Sequence, residues 1–186
     1  KAFILLFFTG TLFLIWRITN SLFSLTLFAL NPLVLHEVVS GGHNDVVMVF
    51  FALLAFYLLT RKYILPAVIF LCISILIKYA SVFLLPVFVY ACWKVLRNET
   101  VRWGNVYFYA TLSMYVIFLL SPLREEMYPW YGIWFLSFAV LIPERKKLLA
   151  ISMLFSFALM LRYVPFMATG NYFGNTPVVR ELLTFF

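Results

Sequence analysis

"VLHEVVSGGHNDVVMVFF", Val34 to Phe51, sets two histidines, a glutamate, an asparagine, an aspartate and two glycines between strongly apolar flanks. Outward from it the chain stays apolar: 65% of its 186 residues are hydrophobic and only 11% are charged, whereas a soluble domain has roughly a quarter of its residues charged. That composition defines an integral membrane protein. Apolar runs of near-spanning length, without a ten-residue apolar/polar alternation, point to helices rather than a barrel, because only these two architectures satisfy backbone polar groups in hydrocarbon.

The spacing predicts a single all-α domain over residues 1–186, a polytopic transmembrane helical bundle of roughly eight spans at about 20 residues each. The expected segments are Ala2 to Trp16, Leu22 to Leu35, Val46 to Leu59, Tyr63 to Ile77, Ser81 to Leu96, Val106 to Leu120, Tyr131 to Ile142 and Leu148 to Leu161, followed by a mixed tail from Arg162. If the segments alternate, Arg17, Arg61, Lys62, Lys94, Arg97, Arg102, Arg145, Lys146 and Lys147 fall on one side, and Lys1, Lys78, Arg124 and Arg162 on the other. The positive-inside rule makes the first side cytoplasmic. The formal +7 charge is then topological bias, and no nucleic-acid partner is implied. Cys72 and Cys92 lie inside apolar runs and behave as small hydrophobes.

Chemistry-bearing residues gather on the other, outer side: His36, Glu37, His43, Asn44, Asp45, Lys78, Arg124, Glu125, Glu126, Tyr128, Trp130 and Tyr131. Each has a plainer reading. Asn44 or Asp45 would cap the following helix, Gly41-Gly42 would make a turn, Lys78 would snorkel to the headgroups, and "YPWY" would belong to an interfacial aromatic belt. Capping leaves His36-Glu37 unexplained, because ionisable groups near membrane depth usually face a cavity or partner. A metal held by His36, Glu37, His43 and Asp45 is a further option, although the spacing matches no zinc signature. Lys78 at the lipid-phosphate level suits a phosphate, and aromatics beside Arg124, Glu125 and Glu126 suit a sugar.

"NPLVLHEVVSGGHNDVVMVFFALLAFYLL", "ISILIKYASVFLLPVFVY" and "MYPWYGIWFLSFAV", in that order, resemble the GT-C superfamily of polytopic glycosyltransferases, and within it the polyprenyl-phosphate-mannose-dependent mannosyltransferases of bacteria and archaea. The resemblance spans Asn31 to about Val140. It implies transfer of a hexose, mannose in that branch, from a polyprenyl-phosphate donor to a hydroxyl of a glycan, lipid or protein at the outer face of a plasma membrane. Lys78 and Arg124 would then bind the donor phosphate. His43, Asn44, Glu125, Glu126, Tyr128, Trp130 and Tyr131 would bind sugar or acceptor, and Asp45 or Glu37 would supply the carboxylate that deprotonates the acceptor. The resemblance implies no particular cofactor, and dependence on a divalent metal is left open.

In that superfamily the catalytic acid usually lies in a first large outer loop, and none precedes Leu22. Either Asp45 or Glu37 serves, or the loop lies upstream of Lys1 in a longer chain, the reading we adopt. A non-catalytic membrane subunit and a transporter remain as alternatives. The transporter is disfavoured because charges cluster at segment ends rather than mid-span.

Overall fold

The structure is a computed structural model that describes residues 1–123, 126–170 and 178. Among the described residues it is helical throughout, with no strand. The chain runs through α1 (Ala2–Thr19), α2 (Leu22–Ala29), the single turn α3 (Pro32–Val34), α4 (Asp45–Thr60) and α5 (Ile64–Ile77). It continues with α6 (Leu85–Leu96), α7 (Trp103–Leu120), α8 (Gly132–Ala139), α9 (Lys146–Leu161) and α10 (Val164–Thr169).

The eight expected segments are all helical, but not all are long enough by themselves to count as spans. Four helices among the described residues are long and apolar enough to cross a membrane: Ala2–Thr19, Tyr79–Leu96, Trp103–Leu123 and Lys146–Ala168. A fifth arises if the pair Leu22–Ala29 and Pro32–Gly41, bent by 50°, is one broken span. At 1.5 Å per residue, a run of 12 to 16 apolar residues reaches only about 18–24 Å of the roughly 30 Å hydrocarbon thickness. Such a run is as well explained by burial within protein, and α8 is the clear case. All eight of its residues are buried, packed against α7, α9 and α4, so it is apolar all round because protein surrounds it. Gly132 permits this fit, since a Cβ there would lie 2.6 Å from Leu33 and 2.7 Å from Leu159.

The core centres on α4 and α8. Phe56, Phe118, Trp134, Phe135 and Phe138 are fully buried, and Phe56 meets Phe138 edge to face at 5.7 Å between ring centroids. The outer faces of α1, α2, α5 and α9 instead expose large apolar side chains, among them Phe3, Leu22, Leu76 and Leu154. An apolar surface of that extent marks a face covered by lipid or protein.

Two local breaks position the site. Asn31 stops α2 and starts α3: its Oδ1 accepts hydrogen bonds from the Leu33 and Val34 amides at 3.0 and 3.4 Å, Pro32 follows at the favoured first position, and its Nδ2 donates to Ser156 Oγ on α9 at 2.8 Å. The chain then enters a π-helical turn, Leu35–Gly41, that ends at Gly42 with φ of 75°. The left-handed conformation suits glycine, and it turns the chain so that the His43 amide donates to the Glu37 carbonyl at 3.0 Å. π-Helical turns are frequent at functional sites. The second break is at Lys78, which is extended (φ −154°, ψ 123°) between α5 and the 3₁₀ turn Tyr79–Leu84. Beneath it the buried Ser74 hydroxyl bonds the Met48 carbonyl at 2.8 Å and the Ser81 hydroxyl at 2.7 Å, which ties this break to α4.

Candidate functional site

The site lies at one end of the bundle. Its centre is Asp45, the first residue of α4, only 1% exposed. The expectation that Asn44 or Asp45 caps this helix is not met: Asn44, at the N-cap, makes no side-chain cap hydrogen bond, and Asp45 turns inward. Its Oδ1 receives Lys78 Nζ at 2.8 Å and the indole N–H of Trp134 at 2.5 Å, while Oδ2 is buried without a hydrogen-bond partner among the described residues. Lys78 therefore does more than snorkel. Its ammonium is gripped by the carboxylate and lies 4.5 Å from the ring centroid of Tyr131 and 5.2 Å from that of Trp134, which are themselves stacked at 4.2 Å. With 19% of its side chain exposed, Lys78 remains reachable. An ammonium has three N–H donors, so the bond to Asp45 leaves two for an incoming anion.

A second cluster adjoins it. Glu37, also 1% exposed, accepts the Tyr163 hydroxyl at 2.6 Å and lies 3.3 Å from His43 Nε2. His43 is 32% exposed and stacks on Trp130 at 4.0 Å, and Trp130 stacks on Tyr128 at 4.4 Å. His36 lies on the exposed side, its ring 5.0 Å from that of Tyr163. Next in the chain, Arg162, 3% exposed, donates to Glu126 at 3.3 Å. The segment Tyr128–Trp134 is the wall shared by both clusters, because Trp130 meets His43 while Trp134 meets Asp45.

The structure thus brings together Glu37, His43, Asp45, Lys78, Glu126, Tyr128, Trp130 and Tyr131 at one end, with Asn44 exposed beside them. Arg124 and Glu125 lie outside the described residues. Of the side chains in the metal reading, Asp45 is committed to Lys78 and Trp134 while Glu37 faces His43 and Tyr163, and among the described residues no three metal-ligating side chains converge. The sugar platform expected of "YPWY" changes as well. Trp130 is occupied by two stacked rings and Tyr131 is buried beneath Lys78. Trp134, Tyr163 and Arg162 are the contacts that the sequence did not disclose.

The opposite end of the bundle carries the basic loops. Arg61 caps α4, about 24 Å along the helix from Asp45. Arg17 reaches Tyr57 at 3.5 Å, Lys62 reaches Asn98 at 3.2 Å, and Arg145 reaches Asn105 at 3.0 Å. Arg17, Arg61, Lys62 and Arg145 thus end at the pole opposite Lys78.

These features define a helical membrane protein with an ordered, charged and aromatic site at one pole. Residues 6–94, a little under half of the chain, match the family model described as alpha-(1->6)-mannopyranosyltransferase, N-terminal domain. That similarity supports a mannosyltransferase family and covers Glu37, His43, Asp45 and Lys78, while the wall at Tyr128–Trp134 lies beyond it. No curated protein and no solved structure matches the chain.

Proposed function

We propose that this chain forms the donor-phosphate site of a membrane glycosyltransferase of GT-C type, which moves mannose from a polyprenyl-phosphate to a hydroxyl acceptor at the outer membrane face. The observation that carries the reading is the held but reachable ammonium of Lys78, fixed by Asp45 within the segment similar to mannosyltransferases and by two aromatic rings beyond it. In the transfer, an acceptor oxygen forms a bond to the sugar's anomeric carbon as the bond from that carbon to the phosphate oxygen breaks. The electron pair leaves with the polyprenyl phosphate, and the acceptor's proton passes to a base. Lys78 is oriented to neutralise the leaving phosphate, a form of electrostatic stabilisation that is strong where water is excluded.

Asp45 is a positioning residue in this scheme. Its Oδ1 is already shared by two donors and its Oδ2 is buried, so neither oxygen is well placed to take a proton from an acceptor that enters from outside. His43 is the better-placed proton acceptor among the described residues: it is half-buried, and its Nε2 lies beside Glu37, which orients the ring. Tyr128 and Asn44 line the approach on the sugar and acceptor side, and Arg124 and Glu125 neighbour it in sequence.

The test is donor and side. Right-side-out membrane vesicles containing the full protein, given labelled polyprenyl-phosphate-mannose, transfer label to an externally added mannoside acceptor, and nucleotide-activated mannose in its place gives none. Transfer that requires the nucleotide donor, or that proceeds only in inverted vesicles, overturns the reading.

A further inference from the structure

A second feature lies away from this site. Between α6 and α7 runs an open cavity of about 990 Å³, at the upper end of the size of ligand pockets. Phe83 and Val87 on one side and Tyr109, Leu112 and Val116 on the other make an apolar trough. One mouth is polar, lined by Lys94, Thr100, Arg102 and Asn105. From Arg102 to Val116 the trough follows α7 for about 21 Å, enough for a headgroup at the mouth and for the roughly 15 Å hydrocarbon depth of one leaflet. The mouth is at the pole opposite Lys78, since Lys94 lies in the last turn of α6 and Arg102 precedes α7.

The charges at the mouth specify the occupant. Lys94 is paired with Glu99 at 2.9 Å, but Arg102 is exposed and forms no ion pair among the described residues. Asn105 accepts a hydrogen bond from Arg145 at 3.0 Å through its Oδ1, which leaves its amide N–H groups to donate and brings a further guanidinium alongside. Hydroxyl, amide and guanidinium groups, all able to donate, face the top of a hydrocarbon-sized trough.

We propose that this groove is a binding site for one anionic phospholipid, its phosphate on Arg102 with Thr100 and Asn105, and its acyl chains along α6 and α7. The site is separate from the glycosyl-transfer site and stands or falls without it.

The test uses the full protein, delipidated in detergent and exposed to equal amounts of phosphatidylglycerol and phosphatidylcholine, with bound lipid counted by native mass spectrometry. Phosphatidylglycerol is retained over phosphatidylcholine by about fivefold or more, the effect of one cation near an anionic headgroup. Arg102→Ala removes that preference, and Arg102→Lys keeps most of it. Ser113 also lines the trough, so Ser113→Trp fills it and removes retention of both lipids, and Leu154→Trp on the exposed face of α9 changes nothing. The two Arg102 variants alter only an exposed side chain, so they decide the matter even if Ser113→Trp disturbs helix packing. Equal retention of the two lipids, or a preference that survives Arg102→Ala, overturns the proposal, as does a protein chain found crosslinked along the trough at Tyr109.

Discussion

Replacing Lys78 by methionine removes the cation from a carboxylate that is 1% exposed and whose second oxygen, among the described residues, already lacks a hydrogen-bond partner. Breaking one side of a buried pair costs about 3–5 kcal/mol, because the remaining charge stays desolvated. Trp134 still donates to Asp45, and Lys78 is itself 19% exposed, so the lower end, about 3 kcal/mol, is expected. Asp45→Leu alone strands a half-buried ammonium between two aromatic faces and costs somewhat less, about 2 kcal/mol, because a flexible lysine can reach water. In the double variant neither charge is left uncompensated, so the combined loss is smaller than the sum by about 2 kcal/mol or more. The assay is reversible denaturation of the purified full protein in detergent, run as a double-mutant cycle. Additive losses would refute the inference that Asp45 and Lys78 act as one buried unit.

Other outcomes follow from single contacts. Tyr163→Phe deletes the 2.6 Å hydrogen bond to buried Glu37 and lowers stability by about 1–3 kcal/mol, read in the same denaturation; an unchanged midpoint would detach Tyr163 from the site. Gly132→Ala drives a methyl group into Leu33 and Leu159 and costs about 1–3 kcal/mol, and Leu159→Ala in the same chain recovers part of that loss, detectable as a partial return of thermal stability. Asn31→Ala removes a helix cap and the partner of Ser156, with an expected cost of about 1–2 kcal/mol and earlier proteolysis between α2 and α3.

The helices and their order were legible in the sequence because apolar runs are interrupted by charge at nearly every connection, from Arg17 to Arg145. The number of spans was not. A run such as "GIWFLSFA" has the same hydrophobicity whether lipid or protein surrounds it, and only tertiary packing reveals that α8 is enclosed on every side. The candidate site was half legible. Glu37, His43, Asp45 and Lys78 stand out as polar residues in an apolar chain, and the Gly41-Gly42 turn follows from glycine's freedom at positive φ. Their pairing did not stand out. Asp45 resembles a helix cap in sequence, yet its partners are 33 and 89 residues away, and Glu37 meets Tyr163 at a separation of 126. Nothing in the sequence around Trp134 signals that its indole N–H donates to Asp45. Contacts of such range leave no periodic trace in the chain.

The central claim is that the ammonium of Lys78 serves the sugar phosphate rather than the fold alone. The most direct measurement is the rate of mannosyl transfer from polyprenyl-phosphate-mannose by the full protein carrying both Asp45→Leu and Lys78→Met, compared with the unchanged protein at equal abundance in membranes. The double change leaves neither charge stranded and, by the figures above, costs about as much stability as Lys78→Met alone, so comparison at equal abundance separates activity from folding. The account predicts transfer lowered by two orders of magnitude or more, as for loss of a group that stabilises transition-state charge. Transfer within a few-fold of the unchanged protein would contradict it and leave Asp45 and Lys78 as a structural pair.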